Sequence, residues 1–373
     1  MKKVLFVATV VKGHIDVFHL PYLKLFKDQG WETTVIAKNN FENKSECVIP
    51  YCDNYIDLPF ERNPFKVNNL KSLFMLKKII KKEEFDIIHC HTPVGGVIAR
   101  LAAKGQSNAK IIYTAHGFHF FKGAPLKNWM LFYPVEKYLS KFTDVLITMN
   151  TEDFELVNDK FHPQKSILIP GVGVNLEKFN NKGDVNKSIL RQKNNLLENK
   201  FILIYVGELS DRKNQKQLIE VGNLLKNKIK NLKILIVGMG SRREELEKIV
   251  KEYGLTEIVE FLGYRSDISE LMTLSDIVVS TSKQEGLPVN LLEGLAVGKP
   301  IIATSCRGNR DLVFEGYNGF LSEINDAKKM ADDVLKLYNN ELMYKENSKN
   351  SLELSQKYDI ENILSIIQKV YFE

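Results

Sequence analysis

The 373-residue chain is long for one domain and comfortable for two, and its 44% hydrophobic and 26% charged residues are typical of a soluble globular protein. No apolar run approaches the roughly 20 residues that cross a bilayer, and four cysteines without paired spacing exclude a disulfide scaffold and indicate a reducing cytoplasm. The net charge of +6 comes without a basic stripe carrying interleaved aromatics, so no nucleic-acid partner is expected.

The first half of the chain alternates strand-like and helical patterns. Its opening apolar run is interpreted as a strand and not as a signal peptide, because Lys12, Gly13 and His14 follow it too soon. Helical patterns separate most of the strands, which predicts a doubly wound parallel sheet. The predicted strands are Val4–Ala8, Thr33–Ala37, Asp86–His89, Lys110–Ala115, Asp144–Thr148 and Ser166–Ile169, and the predicted helices include Val17–Gln29, Val94–Lys104 and Leu126–Ser140.

One further predicted helix of this half is strongly basic. All of the net positive charge of the chain lies in its first half, since residues 1–175 hold 23 Lys and Arg against 17 Asp and Glu while the remaining residues are balanced. The helix could dock on an anionic membrane or steer an acidic substrate, or its lysines could simply be solvated surface residues. Its cluster is formed by Lys71, Lys77, Lys78, Lys81 and Lys82, beside apolar residues at helical spacing.

A second alternation of strands and helices follows a polar stretch, 180–200, which is interpreted as a linker with a short charged helix. The chain is helical from Asp326 onward, and its last apolar segment is long enough to pack on the first domain. We therefore predict two α/β domains, residues 1–175 together with a crossing helix at 358–373, and residues 176–357. The predicted strands are Phe201–Val206, Leu232–Val237, Ile258–Phe261, Asp276–Val279, Pro300–Thr304 and Gly319–Leu321.

The most informative stretch follows the fourth strand of the second half. There Glu285 and Glu293 bracket a turn with Gly286, and Pro288 suits the first position of a helix. The N–H groups and dipole at such a helix start bind anions such as phosphate. Glu293, one turn further, could accept hydrogen bonds from the hydroxyls of the phosphate carrier. The alternative is an ordinary amphipathic helix with two solvated glutamates.

Other candidate binding loops follow the remaining strands, because open parallel sheets bind ligands at the carboxyl ends of their strands. Each combines glycine with polar or charged side chains, and one of them brings two adjacent cations, Arg212 and Lys213, to a predicted helix start. These loops are Thr9–His14, Ala115–His119, Gly207–Asn214, Gly238–Arg242 and Gly263–Asp267.

Several alternative kinds of site are disfavoured. The glycines at 238 and 240 resemble the start of a dinucleotide fingerprint, but Arg243 occupies the third position. No Gly-x-Ser-x-Gly elbow and no Asp-x-Asp pair is present. A histidine-rich set could suggest a metal, but no carboxylate-rich or Cys-x-x-Cys context supports it, and no metal site is expected. That set comprises His89, His91, His116 and His119.

Taken together, these motifs resemble the retaining GT-B glycosyltransferases of family four, whose signature is a pair of glutamates eight residues apart. Within that family, the chain most resembles bacterial enzymes that build capsular, exo- or O-antigen polysaccharide. The resemblance covers nearly the whole chain and rests on several motifs in the correct order. They are Glu285-Gly-Leu-Pro with Glu293-Gly-Leu-Ala, Val206-Gly207 with Lys213-Asn214, His89-Cys-His91-Thr-Pro93, Thr114-Ala-His116-Gly117 and Pro170-Gly-Val-Gly-Val-Asn175.

The resemblance implies two Rossmann-like domains facing a cleft, an acceptor domain first and a nucleotide-sugar domain second, the donor being UDP-linked. It makes His116 and Glu285 the catalytic contacts to the donor sugar. It assigns Glu293 to the ribose and the backbone near Arg265 to the base. The acceptor would enter at Lys12, Gly13 and His14. The diphosphate would be held by Lys213, Arg212 and the loops containing Gly207 and Gly286, Leu287 and Pro288.

One departure from the family pattern concerns the diphosphate. Family members commonly carry arginine where this chain has Glu208, so Lys213 must act alone or with Arg212. The expected reaction is sugar transfer with retention, without metal or other cofactor, to a glycan or lipid-linked glycan in surface polysaccharide synthesis. The expected location is cytoplasmic, with peripheral association at the inner membrane face. The alternative is a non-transferring UDP-sugar enzyme, such as an epimerase, or a silent sugar-nucleotide binder.

Overall fold

The computed structural model describes residues 1–105, 108–179 and 187–373, which form two α/β units. The first unit comprises Met1–Val172 together with Ile363–Glu373, and the second comprises Gly173–Asn362. The chain thus passes between the units at Gly173 and Ile363. The sequence prediction had placed these two boundaries at residues 176 and 358. In the described residues, no helix is both long enough and apolar enough to cross a bilayer.

The first unit is built on a seven-stranded parallel sheet with the order β3-β2-β1-β4-β5-β6-β7. Its central strands are buried along almost their whole length because helices cover both faces, and they are mainly apolar, with His89 and His91 as the buried polar residues of β4. The edge strand β3 was not predicted, since its four residues are only half-buried and lack an apolar run. The strands are β1 (Lys3–Val10), β2 (Glu32–Lys38), β3 (Asn54–Asp57), β4 (Ile87–His91), β5 (Lys110–Ala115), β6 (Val145–Thr148) and β7 (Lys165–Leu168).

The predicted helices of the first unit are present, with a difference at the first one, and α5 is a further helix that was not named in the sequence prediction. The helix predicted over Val17–Gln29 begins at Leu20, and an irregular segment, Val11–His19, precedes it. This segment cannot be regular helix because Lys12 is extended (ψ 122°) and Gly13 has a φ of +84°. The helices are α1 (Leu20–Asp28), α2 (Val67–Glu83), α3 (Pro93–Ala103), α4 (Leu126–Ser140) and α5 (Thr151–Lys160).

The second unit is built on a six-stranded parallel sheet with the order β10-β9-β8-β11-β12-β13. The strands are β8 (Phe201–Val206), β9 (Leu232–Val237), β10 (Val259–Gly263), β11 (Ile277–Ser280), β12 (Ile301–Thr304) and β13 (Gly319–Ser322). Its helices are α6 (Leu176–Phe179), α7 (Lys187–Lys193), α8 (Gln215–Leu225), α9 (Arg243–Glu252), α10 (Ile268–Leu274), α11 (Val289–Ala296), α12 (Ala327–Asn339) and α13 (Glu341–Ser355). The final helix, α14 (Ile360–Phe372), belongs to the first unit from Ile363 onward. Two doubly wound parallel sheets confirm the predicted fold class.

The last helix, α14, returns to the first unit as predicted. Its buried residues, among them Ile363, Ile367 and Tyr371, belong to the core of the first sheet. The Tyr371 hydroxyl also hydrogen-bonds Nδ1 of His89 over 2.7 Å. The amphipathic spacing seen in the sequence therefore serves to close the core of the first unit.

The stretch predicted as a linker is only partly described, since residues 180–186 lie outside the described ranges. The part that follows, α7, packs against the second unit. Leu190 of α7 is buried, and the Arg191 guanidinium contacts Asp276 at 2.9 Å and donates to the Leu274 carbonyl over 3.0 Å. The predicted short charged helix is present as α7. It differs from a loose linker because Leu190 and Arg191 anchor it to the second unit.

Candidate functional site

Two cations and a carboxylate meet at the carboxyl ends of two neighbouring strands in the second unit. Nζ of Lys213 lies 2.6 Å from Oε1 of Glu285, and Nη1 of Arg212 lies 3.2 Å from Oε2. The cations follow β8 and the carboxylate follows β11, which are adjacent in the sheet. The strand order thus brings together side chains more than seventy positions apart, as expected for ligand sites of open parallel sheets.

The electrostatics of this cluster favour an anionic ligand. Burial alone would raise the pKa of Glu285, but Lys213 and Arg212 outweigh that effect and hold the pKa below its ordinary value. With Glu285 ionised, two cations and one carboxylate leave one net positive charge. Arg212 is 44% exposed at its side chain, so one cation remains accessible to solvent. The cluster is therefore suited to a phosphate group arriving from solvent.

Close backbone contacts shape the floor of this site. A Cβ added to Gly238, whose φ is +137°, would lie 2.0 Å from the carbonyl oxygen of Gly207. A Cβ on Gly207 would in turn lie 3.6 Å from Cε of Lys213. The loops after β8 and β9 are thus in contact through the backbones of Gly207 and Gly238, and the Lys213 side chain lies next to Gly207.

The loop that carries Glu285 leads directly into α11. The sequence predicted Pro288 at the first helical position, and that is wrong by one residue. Pro288 is extended (φ −77°, ψ 115°) and precedes the helix, which begins at Val289. The Asn290 side chain donates to the Val206 carbonyl over 2.9 Å and so ties the helix start to the end of β8. Gly286 and Leu287, in the preceding loop, are half-exposed and available to a ligand.

Two residues that the sequence analysis missed support the Glu285 loop from the neighbouring strand. Nε of Arg307, whose side chain is buried, donates to the Glu285 carbonyl over 3.0 Å. Gly308 has a φ of +82°, and a Cβ there would lie 2.5 Å from the Gly286 carbonyl oxygen. Both follow β12, so the rule used for the other strand ends would have found them had it been applied to that strand.

Glu293 differs from Glu285 in having no close cation. Burial raises its pKa to about 7, and Lys178 opposes that rise only in part. Within the described part of the chain, no group donates a hydrogen bond to its carboxyl group. The side chain on α11 is thus an acceptor still to be satisfied, which suits it to a hydroxyl-bearing ligand.

The other predicted donor residues take less direct positions. The Arg265 guanidinium is held by Asp267, with Nε 2.7 Å from Oδ1, so its side chain is already paired. The nearby backbone joins the site, since the Gly238 N–H donates to the Gly263 carbonyl over 2.8 Å. Glu208 is exposed, and its carbonyl accepts from the Gln215 side chain over 2.6 Å. Arg212, and not the residue at 208, supplies the second cation beside Lys213.

In the first unit, the structure brings four histidines together at the ends of β1, β4 and β5. One ring nitrogen from each of His14, His19, His91 and His116 lies within 4.8 Å of the others. Nε2 of His14 and Nε2 of His19 are 3.1 Å apart. We call these four residues the histidine cluster. It contains His116 and His14, two of the residues that the sequence singled out.

The histidine cluster is electrically neutral because it is buried. Desolvation lowers the pKa of His116 to about 4 and lowers those of His14, His19 and His91 well below the ordinary value. Across the described residues, several buried ring nitrogens lack a hydrogen-bond partner. They are both nitrogens of His91, Nδ1 of His19 and Nε2 of His116.

The set of histidines considered from the sequence is not the set that meets in space. His89 is satisfied by the Tyr371 hydroxyl at 2.7 Å and the Thr114 hydroxyl at 2.8 Å. His119 is exposed and stands outside the cluster. His14 and His19 join instead, because the irregular segment before α1 folds over the strand ends.

A pocket of about 530 Å³ adjoins the histidine cluster within the first unit. Its lining is mainly apolar and includes side chains from α2, α3 and α4, with Glu136 and Tyr113 among the polar residues. Gly13 and His14, two of the residues predicted to admit the acceptor, line it. Lys12 does not, since its ammonium lies 5.5 Å above the Phe41 ring and its backbone is held by Asn40.

Comparison with known families matches both halves of the chain. The family described as Glycosyl transferases group 1 matches residues 186–353, and the family described as Glycosyl transferase 4-like matches residues 3–150. The first match contains the Lys213, Arg212 and Glu285 cluster, and the second contains the histidine cluster.

Three curated relatives align over most of the chain. Putative glycosyltransferase EpsD of Bacillus subtilis is 45% identical over 98% of this chain and 96% of that protein. The UDP-Gal:alpha-D-GlcNAc-diphosphoundecaprenol alpha-1,3-galactosyltransferase of Escherichia coli is 31% identical over 83% and 79%. The N,N'-diacetylbacillosaminyl-diphospho-undecaprenol alpha-1,3-N-acetylgalactosaminyltransferase of Campylobacter jejuni is 30% identical over 93% and 92%.

Solved structures share the fold across the whole chain. HepE of Anabaena, solved in complex with UDP-glucose, superposes with a TM-score of 0.82 at 19% identity, over 100% of this chain and 99% of that one. Sucrose-phosphate synthase of Thermosynechococcus elongatus superposes with a TM-score of 0.84 at 20% identity, over 100% and 98%. At this level of identity the likeness concerns the fold.

Proposed function

The chain belongs to the glycosyltransferases, and from that premise we propose that it transfers a sugar from a UDP-sugar to a lipid-linked glycan with retention of anomeric configuration. The observation that carries the proposal is the cluster of Lys213, Arg212 and Glu285 beside the start of α11. Relatives at 31% and 30% identity are named as transferases acting on diphosphoundecaprenol-linked sugars, one of them with UDP-Gal as donor.

The donor diphosphate is proposed to lie against Lys213, Arg212 and the backbone of the Gly286–Pro288 loop. As the glycosidic bond breaks, negative charge grows on the diphosphate, and fixed cations lower the barrier most where charge develops. These protein groups are proposed to neutralise the leaving group without a metal ion. Glu293 is proposed to accept hydrogen bonds from the ribose hydroxyls, because its carboxyl group has no donor of its own in the described structure.

The pairing of Glu285 bears on the mechanism. A carboxylate that contacts two cations, at 2.6 and 3.2 Å, is a poor nucleophile because its charge is already compensated. This favours attack of the acceptor on the same face that the diphosphate leaves, with a donor phosphate oxygen taking the acceptor proton. Glu285 then orients the cations and contacts the sugar, and His116, neutral at pH 7, contacts the sugar as a hydrogen-bonding group.

The acceptor is proposed to bind at the apolar pocket of the first unit. Large apolar side chains are exposed on α2 and α4, two of the helices that contribute to its lining, and just before α2, and we call them the apolar rim. Phe65 and Leu131 belong both to the rim and to the pocket lining, so the pocket opens onto it. A lipid-linked acceptor matches a pocket with an apolar mouth. The apolar rim comprises Phe65, Val67, Leu70, Phe74, Leu126, Met130 and Leu131.

The same surface supports peripheral association with the cytoplasmic face of the membrane and a role in surface polysaccharide synthesis. The lysines of α2 are exposed, as is the apolar rim, and this combination suits an anionic bilayer. Phe74→Glu is expected to reduce binding to anionic liposomes at low salt, whereas Leu342→Glu, at an equally exposed position of α13, is expected to leave it unchanged. Equal binding by both variants would contradict the membrane role.

The transfer itself is tested by incubating the protein with UDP-sugars and membrane lipid extract and analysing the lipids for added sugar. A panel of UDP-, GDP- and ADP-sugars in a thermal-shift assay first identifies the donor by its stabilising effect. A glycosylated lipid supports the proposal. An isomerised nucleotide-sugar without lipid product would instead identify an epimerase, and donor binding without any product would identify a silent binder.

A further inference from the structure

We propose that the histidine cluster is a binding site for one divalent transition-metal ion of the zinc class. The ligands would be ring nitrogens of His14, His19, His91 and His116, which come from the Val11–His19 segment, the end of β4 and the residue after β5. The proposal does not rest on sugar transfer, since it concerns the composition of the first unit alone.

The distances within the cluster fit a tetrahedral ion. Zinc binds imidazole nitrogen at about 2.0–2.1 Å, so two ligands of a tetrahedron lie about 3.3 Å apart. The two Nε2 atoms of His14 and His19 are 3.1 Å apart, and all four candidate atoms lie within 4.8 Å. The rings of His14 and His116 have centroids 4.9 Å apart and are nearly perpendicular, at 76°. Such rings can point their nitrogens at a common centre.

His91 requires a small adjustment to complete the set. Its ring centroid lies 3.8 Å from that of His19 at an angle of 32°, so the two rings partly stack. His14 and His19 therefore have the spacing of two ligands as they stand, and His91 becomes a further ligand when its ring rotates. Both of its nitrogens lack a partner among the described residues, so the rotation breaks no hydrogen bond.

Unpartnered buried nitrogens are the second observation that points to an ion. Buried polar groups nearly always have partners, and those without one call for an unseen ligand. Here both nitrogens of His91 and Nε2 of His116 lack partners in the described structure, although both rings lie inside the unit. One nitrogen of each ring would gain a partner from an ion that Nε2 of His14 and Nε2 of His19 also bind. A metal ion accepts lone pairs from several such rings at once. Neutral imidazole is also the form that binds metal.

The ligand type determines the class of ion. The cluster offers imidazole only, with neither carboxylate nor thiolate among the described residues that form it. Calcium and magnesium prefer oxygen ligands, whereas imidazole suits Zn²⁺, Cu²⁺, Ni²⁺ and Co²⁺. Bound there, the ion would fasten the irregular Val11–His19 segment to the strand ends. With Nε2 of His116 on the ion, Nδ1 of the same ring remains for the sugar contact proposed above.

The experiment uses the full chain without a polyhistidine tag. Purified protein is stripped with chelator and titrated with Co²⁺, whose tetrahedral complexes absorb strongly in the visible range, and then with Zn²⁺. One equivalent of Co²⁺ giving tetrahedral bands, displaced by Zn²⁺, is the expected result. His19→Gln and His91→Gln are expected to weaken binding at least tenfold. His162→Gln, at an exposed histidine outside the cluster, is the matched control and is expected to bind as the parent does.

Two results would overturn the proposal. One is the absence of tetrahedral Co²⁺ bands in the parent protein, and the other is bands that remain unchanged in both cluster variants, His19→Gln and His91→Gln. If the cluster variants do not fold, the parent and His162→Gln decide the matter by thermal unfolding. Zn²⁺ is then expected to raise the unfolding temperature of both proteins and chelator to lower it. No shift with either reagent would equally refute the metal site.

Discussion

Replacing Lys213 with methionine tests the assignment of the diphosphate site most directly. The change keeps the length and apolar stem of the side chain but removes the charge 2.6 Å from Glu285. If Lys213 stabilises the leaving diphosphate, turnover at saturating donor should fall about 100- to 1,000-fold, as for loss of one preorganised transition-state contact. That loss corresponds to roughly 3–4 kcal/mol.

The same variant also leaves a buried carboxylate with fewer partners. The Lys213 and Glu285 side chains are only 11% and 8% exposed. Removing one partner of a buried pair costs about 3–5 kcal/mol, and the remaining contact with Arg212 places the expected loss near 3 kcal/mol. Stability must therefore be measured beside activity. The double variant Lys213→Met, Glu285→Gln is expected to recover stability but not turnover, because no buried carboxylate is left short of a partner and the remaining cation, Arg212, is 44% exposed.

Turnover is measured as UDP release with lipid extract at saturating donor, and stability by thermal unfolding. Lys216→Met is the matched control, since Lys216 lies on α8 just after the site, is 58% exposed and contacts only Glu220, at 3.9 Å. It should change stability by less than about 0.5 kcal/mol and leave turnover intact. If Lys213→Met retains turnover within threefold of the parent, the assignment of the diphosphate site is wrong.

Three further predictions concern other positions. The pKa of Glu293 rises from 4.5 to about 7 on folding, so the folded state resists ionisation and loses stability as pH rises through that window. Glu293→Gln should therefore raise stability at pH 8 by about 3 kcal/mol, leave it unchanged near pH 4 in urea unfolding, and weaken UDP binding. Gly308→Ala should lower both the unfolding temperature and donor affinity, because its Cβ would meet the Gly286 carbonyl at 2.5 Å; unchanged donor binding by calorimetry would contradict this. Arg100→Met should destabilise the first unit by about 3–5 kcal/mol, because Glu136 would lose a buried partner at 2.7 Å; an unchanged unfolding temperature would refute it.

Most of the fold could be predicted from the sequence because most strands and helices have a local pattern of apolar residues. Apolar runs marked the buried strands, and amphipathic spacing marked α14, since each pattern reflects burial of one element. Strand β3 was not predicted because a half-buried edge strand has no such pattern of apolar residues. The start of α11 was off by one residue, since proline suits both the last extended and the first helical position.

By itself, the sequence determined which predicted site residues follow strands, where parallel sheets bind ligands: Glu285, the Arg212 and Lys213 pair and His116. Glu293 lies further on, within α11. Only the tertiary structure decided what these side chains do to one another. Pairing of Glu285 with both cations depends on β8 and β11 being neighbours, and the histidine cluster depends on the Val11–His19 segment folding over β4 and β5. Both arise from contacts between residues distant along the chain, which no local spacing encodes.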